Sequence, residues 1–293
     1  PVLMMKNFIK RIFNFSIFFS FFFIGINIVY FAIIASTDLN LKKRFEILKF
    51  NNPDYNLLVF GNSLAFDGID TELLTRNGIK SYNLALGGSS ILTSYIQLKE
   101  YLDKNKVKPH YVLLGINSYM ESFDDRVIHP IVEVTMKDHK YKINDIPILK
   151  FKWFSVELAK KLVSKKHRKA KMVNGQCKFQ KEITDNTNYI KYHIDLNKFK
   201  SSDLIGDMAK LCHDNGIELI IIEMPGYKNT QNVSEYGPYE LRFINGCSAK
   251  LYNFNYQEFC SLLDPNKDWV GKSHLNEFGA AKFTKELVTI FKK

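Results

Sequence analysis

The rhythm of apolar and polar positions changes three times along the chain. Ile12 to Ala35 runs for 24 consecutive positions without a charge, and at ~1.5 Å per helical residue such a run crosses a ~30 Å hydrocarbon layer. A secretory signal is the competing reading, with Ala35-Ser36-Thr37 imitating a cleavage site. The apolar core of a signal is usually only ~7–15 residues, however, so the length favours a retained anchor. A buried core helix would carry a polar face, and none is visible. Beyond a polar connection, short β-type runs alternate with helical stretches. The pattern predicts strands at Leu57–Phe60, Ser81–Leu84, Tyr111–Gly115, Glu218–Glu223 and Leu251–Phe254. It predicts helices at Thr71–Arg76, Ile91–Asn105, Ser202–Asn215, Tyr239–Cys247 and Glu277–Lys292. Ile91, Leu92, Tyr95, Ile96, Leu98, Tyr101 and Leu102 recur at helical spacing opposite Lys99, Glu100 and Asp103, the mark of an amphipathic helix lying on a sheet. "IELIIIEMP" is an almost unbroken apolar run ending at Pro225, as in a strand covered on both faces. Strands alternating with helices imply right-handed crossovers and a parallel sheet. The expected fold is therefore α/β, a three-layer α/β/α domain with a parallel five-stranded sheet, preceded by one transmembrane helix.

From about 119 to 200 this alternation lapses into a polar, basic stretch. Weak strand pairs ("PIVEV", "KYKIN") and one helix around Phe154 to Lys165 are expected there, in an insertion beside the sheet edge that carries the active site. The domain reading is an anchor at 1–40 and a globular domain at 41–293. Composition alters this picture only through charge: the formal net charge is +11, with Lys160, Lys161, Lys165, Lys166, Arg168, Lys169 and Lys171 crowded into the insertion. A solvated face is the plain explanation; beside an anchor, anionic head groups or an acidic glycan are the others. Nucleic acid is disfavoured, because no recognised nucleic-acid motif accompanies the charge. Charge gives the span no preferred orientation, since Lys6, Lys10 and Arg11 precede it while Lys42, Lys43 and Arg44 follow it. The reading adopted puts a short N-terminus in the cytoplasm and the globular domain outside it.

The cysteines Cys177, Cys212, Cys247 and Cys260 lack metal-ligand spacing, so no metal site or cofactor is expected. A Cys247–Cys260 bridge and buried free thiols both remain open.

Candidate chemistry gathers where strands should end, because open α/β sheets collect ligands outside the carboxyl ends of their strands. The first strand delivers Gly61-Asn62-Ser63, a sharp turn and a hydroxyl. The second delivers Gly87-Gly88-Ser89-Ser90, where glycines let backbone N–H groups approach a reacting atom. It lacks the lysine of a phosphate-binding GxxxxGK[ST] loop. The third ends in Gly115-Ile116-Asn117-Ser118, and His274 precedes the last helix, capped near Asn276. Each has a plainer reading as a turn, a helix cap or a surface histidine.

Taken in chain order, "FGNSL", "NLALGGSS", "LGINS" and "SHLNEFGAAKF" resemble the blocks of the SGNH (GDSL-type) hydrolase superfamily, with Asn62 in place of the usual aspartate. The resemblance covers roughly Leu57 to Lys292 and implies a flavodoxin-like sheet, Ser63 as nucleophile and His274 as general base. It also implies an oxyanion hole made of the Ser63 N–H, the Gly88 N–H and the Asn117 side chain. One departure stands out: the family's acid, three residues before the histidine, is here Gly271. Asp268, six before, is the expected substitute, with Asp264 lying ten before. A Ser–His dyad oriented by a backbone carbonyl and an inactive protein that keeps the fold are the alternatives. "GNSLAFDGID" followed by "YNLALGGSS" is most similar to the membrane-anchored branch, which implies acyl transfer to envelope polysaccharide. That reading carries an acyl donor, a polysaccharide acceptor and a multi-span membrane-bound O-acyltransferase as expected partners. Carbohydrate or lipid esterase is the alternative with the same residues, and a tethered, non-catalytic glycan-binding or assembly subunit is the alternative from another class.

Overall fold

The computed structural model describes residues 2–118, 122–123, 125–156, 170–180, 194–227, 236–270 and 273–292. The chain forms two compact units, one of Pro1–Lys42 with Glu133–His167 and one of Lys43–Val132 with Arg168–Lys293. In the first, an uninterrupted helix spans Val2–Thr37. Its Met4–Thr37 portion is long and apolar enough to cross a membrane. A second helix, Leu39–Leu48, follows it.

The larger unit is built on a mixed but mostly parallel sheet. The strands of the chain are β1 (Leu57–Gly61), β2 (Ser81–Asn83), β3 (Tyr111–Ile116), β4 (Ala170–Val173), β5 (Gln176–Phe179), β6 (Glu218–Glu223), β7 (Tyr239–Arg242), β8 (Ser248–Asn253), β9 (Trp269–Val270) and β10 (His274–Leu275). The central sheet runs β2-β1-β3-β6-β8-β7, parallel throughout except for β7 against β8. Alternate residues Leu58, Phe60, Val112, Leu114, Leu219 and Ile221 enter one core cluster with Leu98, Leu102, Ile205 and Met208 of the helices Ile91–Lys104 and Asp203–Asp214. Their neighbours Leu57, Val59, Leu113, Ile220 and Ile222 are buried as well, so both sheet faces are covered, as the unbroken apolar strands require.

The sheet therefore has six strands, and the sixth overturns a helix expected at Tyr239–Cys247. Tyr239–Arg242 alternates, with Leu241 fully buried between exposed Glu240 and Arg242. Gly246 at φ +82 closes the turn into β8, and the Phe243 N–H donates to the Cys247 carbonyl. The Asn245-Gly246 turn signal outweighs the helical spacing of the apolar residues.

The insertion also departs from expectation. "PIVEV" is a short helix at Pro130–Glu133, and "KYKIN" contains a 3₁₀ turn at Ile143–Asp145. The strand pair lies instead at β4–β5, joined by Asn174 (φ 45) and Gly175 (φ 78), the two successive positive φ angles of a tight hairpin. The helix expected around Phe154 to Lys165 is seen over 152–156, and its remainder lies outside the described residues. All four cysteines are free thiols, so the Cys247–Cys260 bridge is not formed.

Candidate active site

β1 and β3 end side by side, Gly61 opposite Gly115, and both glycines are demanded by close packing. A Cβ on Gly61 would meet the Gly115 carbonyl oxygen at 2.1 Å and the Ala65 Cβ at 2.9 Å; one on Gly115 would meet the same Ala65 Cβ at 2.9 Å. With φ +134, Gly61 also adopts a backbone that side chains rarely tolerate. The chain thereby turns from β1 straight into a helix, Ser63–Gly68, laid across the strand ends. Asn62 caps it, its side-chain oxygen accepting the Leu64 N–H at 2.8 Å. Ser63 is the first helical residue, half-buried, and its N–H is among those a helix start leaves without an intrahelical acceptor.

His274 reaches the same point from the far end of the chain. It opens β10, which pairs antiparallel with β9, and Gly271 lies outside the described residues. Asn276 then caps the helix Glu277–Phe291 and donates its backbone N–H to the Asp268 carbonyl at 3.0 Å. Gly279 permits that junction, because a Cβ there would stand 2.2 Å from the same carbonyl oxygen. The result is a 2.8 Å hydrogen bond between His274 Nε2 and Ser63 Oγ, 211 positions apart. The Ser273 hydroxyl lies 3.0 Å from His274 Nδ1. A proton on Nδ1 donated to Ser273 leaves the Nε2 lone pair aimed at Ser63.

Asp268 does not join this pair. Its buried carboxylate accepts the Lys282 ammonium and the Asp264 N–H, both at 2.6 Å, and makes no hydrogen bond to His274. Asp264, the more distant alternative, caps the same loop through the Asn266 N–H at 2.8 Å. The carboxylate beside the imidazole is instead Asp67, one helical turn beyond Ser63, with Oδ2 4.0 Å from His274 Nε2. Residues i and i+4 share a helix face, so this neighbour was detectable once the helix at Ser63 was recognised.

Asp67 belongs to a buried cluster that sequence reasoning missed. The Cys177 thiol of β5 is pushed well up by burial and by Asp67, with which it shares a hydrogen bond. Lys43 is fully buried. Its ammonium donates to the Ala85 carbonyl, approaches Asn83 Oδ1 at 3.5 Å and sits 4.1 Å over the Phe66 ring. Burial holds its pKa well below the usual lysine value, against the opposing pull of Cys177 and Asp67. Asn83 ties the cluster to the helix Ser63–Gly68 by donating to the Ala65 carbonyl at 2.8 Å. From β5, Gln176 donates to the Asp67 carbonyl at 3.0 Å.

The Gly87-Gly88 loop is fastened to the same strand end. The Ser89 hydroxyl donates to the Gly61 carbonyl at 2.7 Å, and Gly88 takes φ +76 in an exposed position. Behind the loop, buried His129 bonds the Gly87 backbone and accepts the Ile131 N–H at 3.3 Å on Nδ1. Burial lowers its pKa to about 4, so the ring is neutral near pH 7. Asn117 directly follows β3 and is buried. Its neighbour Ser118 donates its N–H to both oxygens of buried Glu223 at 3.0 and 3.1 Å, and the Lys198 ammonium bonds the Ser118 carbonyl. Glu223 ends β6 and gave no separate signal inside its apolar run. Among the described residues no cluster of His, Cys, Asp and Glu could hold a metal ion. No family model matches the chain, and no curated protein matches it.

Proposed function

We propose that this chain is a serine acyltransferase of the SGNH type, with a three-layer α/β/α domain of five parallel strands and one antiparallel edge strand. In this reading the helix Val2–Thr37 anchors it and the larger unit works outside the cytoplasm, moving an acyl group to or from an envelope or exported polysaccharide. The observation that carries the reading is the 2.8 Å Ser63 Oγ to His274 Nε2 hydrogen bond, the geometry an unactivated hydroxyl needs in order to attack. Ser63 Oγ adds to the acyl carbonyl as its proton passes to His274 Nε2. The tetrahedral oxyanion is held by the Ser63 N–H, the Gly88 N–H and the Asn117 side chain, each worth ~3 kcal/mol in the transition state. The imidazolium, with Ser273 at Nδ1 and the Asp67 carboxylate near Nε2, returns its proton to the leaving oxygen. An acyl-Ser63 intermediate remains. A sugar hydroxyl, deprotonated by the same Nε2, then takes the acyl group and Ser63 Oγ regains its proton.

A multi-span membrane-bound O-acyltransferase is the proposed supplier of acyl groups. Water in place of the sugar would make the protein a carbohydrate or lipid esterase. The test uses the full chain in detergent with a fluorophosphonate probe and an activated acyl ester. Wild type is expected to label and turn over, whereas Ser63→Ala and His274→Ala are not. Equal labelling of Ser63→Ala would remove the nucleophile assignment, and acylated glycan against free acid would separate transferase from esterase.

A further inference from the structure

Within the smaller unit, the segment 141–156 wraps the C-terminal third of the long apolar helix, and we propose that it is a collar lying in the head-group layer of the membrane. The inference rests on the anchor reading given above. Its first support is depth. Counting ~20 residues, the length that spans the hydrocarbon, from the first uncharged position, Ile12, reaches Phe31. The collar is fastened at that level. Asn27 Oδ1 accepts the Ile148 N–H at 3.1 Å, the Tyr30 hydroxyl donates to the Phe151 carbonyl at 2.7 Å, and it meets Ser155 Oγ at 2.8 Å. Ring contacts reinforce the attachment, Tyr30 with Phe154 at 6.1 Å and Phe31 with Phe151 at 6.4 Å. Asn27 Nδ2 donates within the helix to the Phe23 carbonyl at 2.9 Å, while Asn27 Oδ1 and the Tyr30 hydroxyl take partners from this segment, as polar groups at the end of a span require.

The second support is the collar's own surface. Tyr141 and Ile143 are 77% and 78% exposed, and Leu149 and Val156 are exposed too. Beside them stand exposed Lys140, Lys142 and Lys152 and half-buried Trp153. Apolar side chains interleaved with lysines and aromatics suit an interface that is oily on one side and anionic on the other. The acidic groups of the segment are already engaged. Asp145 binds His139 Nε2 at 2.9 Å and Lys150 at 3.1 Å, and Lys150 also pairs with Glu133. The outward lysines therefore meet anionic head groups without an opposing carboxylate from these pairs.

Trp153 supplies the readout, since the only other tryptophan, Trp269, is buried in the larger unit. The full chain is reconstituted into vesicles of phosphatidylcholine and phosphatidylglycerol containing lipids spin-labelled either near the head group or near the bilayer centre. The Trp153 signal is the difference between wild type and Trp153→Phe, with Trp269→Phe as an independent route to the same quantity. The expected result is blue-shifted Trp153 emission quenched more by the shallow label than by the deep one. Protein retained in alkali-washed vesicles with Trp153 unquenched would overturn the collar and leave the anchor standing. Stronger quenching by the deep label would also overturn it. Protein stripped from the vesicles by alkali would overturn both.

Discussion

Asp67→Asn tests whether a carboxylate beside Nε2 takes the place of the missing acid, because it removes one charge and keeps the side chain's shape. In the proposed cycle His274 is cationic only around the tetrahedral intermediate, so Asp67 at 4.0 Å stabilises that state selectively. Two unit charges at this separation attract by ~4 kcal/mol at an effective dielectric of ~20. The imidazole is 30% exposed and Asp67 8%, and water on the open side of the ring reduces the effect to about 2 kcal/mol, or ~30-fold in rate. The acidic limb of kcat/KM should move to lower pH, because the imidazolium loses a neighbouring negative charge. The substitution also removes a counter-charge from the Lys43 cluster, and stability must be separated from chemistry. Lys43→Met combined with Asp67→Asn should recover Tm relative to Asp67→Asn alone while the rate stays low. The assay is kcat/KM for an activated ester against pH, with Tm measured on the same samples. Asp268→Asn is the control: it should lower Tm by unpairing Lys282 and leave kcat/KM per folded molecule unchanged. Wild-type kcat/KM in Asp67→Asn, or a comparable loss in Asp268→Asn at unchanged Tm, would refute the reasoning.

Other expectations can be checked independently. His129 is held neutral in the fold with a pKa lowered from 6.5 to about 4, so the unfolded chain binds the extra proton between those values. Stability should fall as pH drops from ~6.5 to ~4, by about 3 kcal/mol, and denaturant titrations of His129→Gln should lose that part of the slope. Gly279→Ala places a methyl 2.2 Å from the Asp268 carbonyl oxygen. It should displace the start of the last helix and with it His274, so that labelling of Ser63 falls far more than does the labelling of Gly78→Ala at an open turn. Gly61→Ala, which places a methyl 2.1 Å from the Gly115 carbonyl oxygen, should lower Tm sharply, since that backbone atom cannot swing aside; a Tm within a degree or two of wild type would contradict the packing at the strand ends.

The parallel strands and the chain order of Ser63, Gly88, Asn117 and His274 were readable because each rests on a local signal. Apolar runs mark buried strands, a glycine marks the turn, and Asn62, Ser90 and Asn276 cap the helices that follow. The long apolar helix is legible for the same reason, as its length and lack of charge need no partner to be recognised. β7 was misread because the helical spacing of its apolar residues competed with a hairpin signal, and an edge strand is settled by what it pairs with.

What the amino-acid order alone determined is therefore the set of chain segments and the side chains each delivers to a strand end. Only the tertiary structure decided which of those side chains meet. Ser63 and His274 become neighbours where Gly61 and Gly279 let backbone pack so closely that a Cβ at either would stand 2.1 to 2.2 Å from a carbonyl oxygen. Asp268 is turned away because Lys282 and the Asp264 N–H claim its oxygens, and the carboxylate beside the imidazole is that of Asp67, 4.0 Å from Nε2. Lys43 and Cys177, remote in sequence, close around the same carboxylate. Such choices are competitions between long-range partners for one charged group, and the outcome depends on distance and burial, which no local pattern of residues encodes.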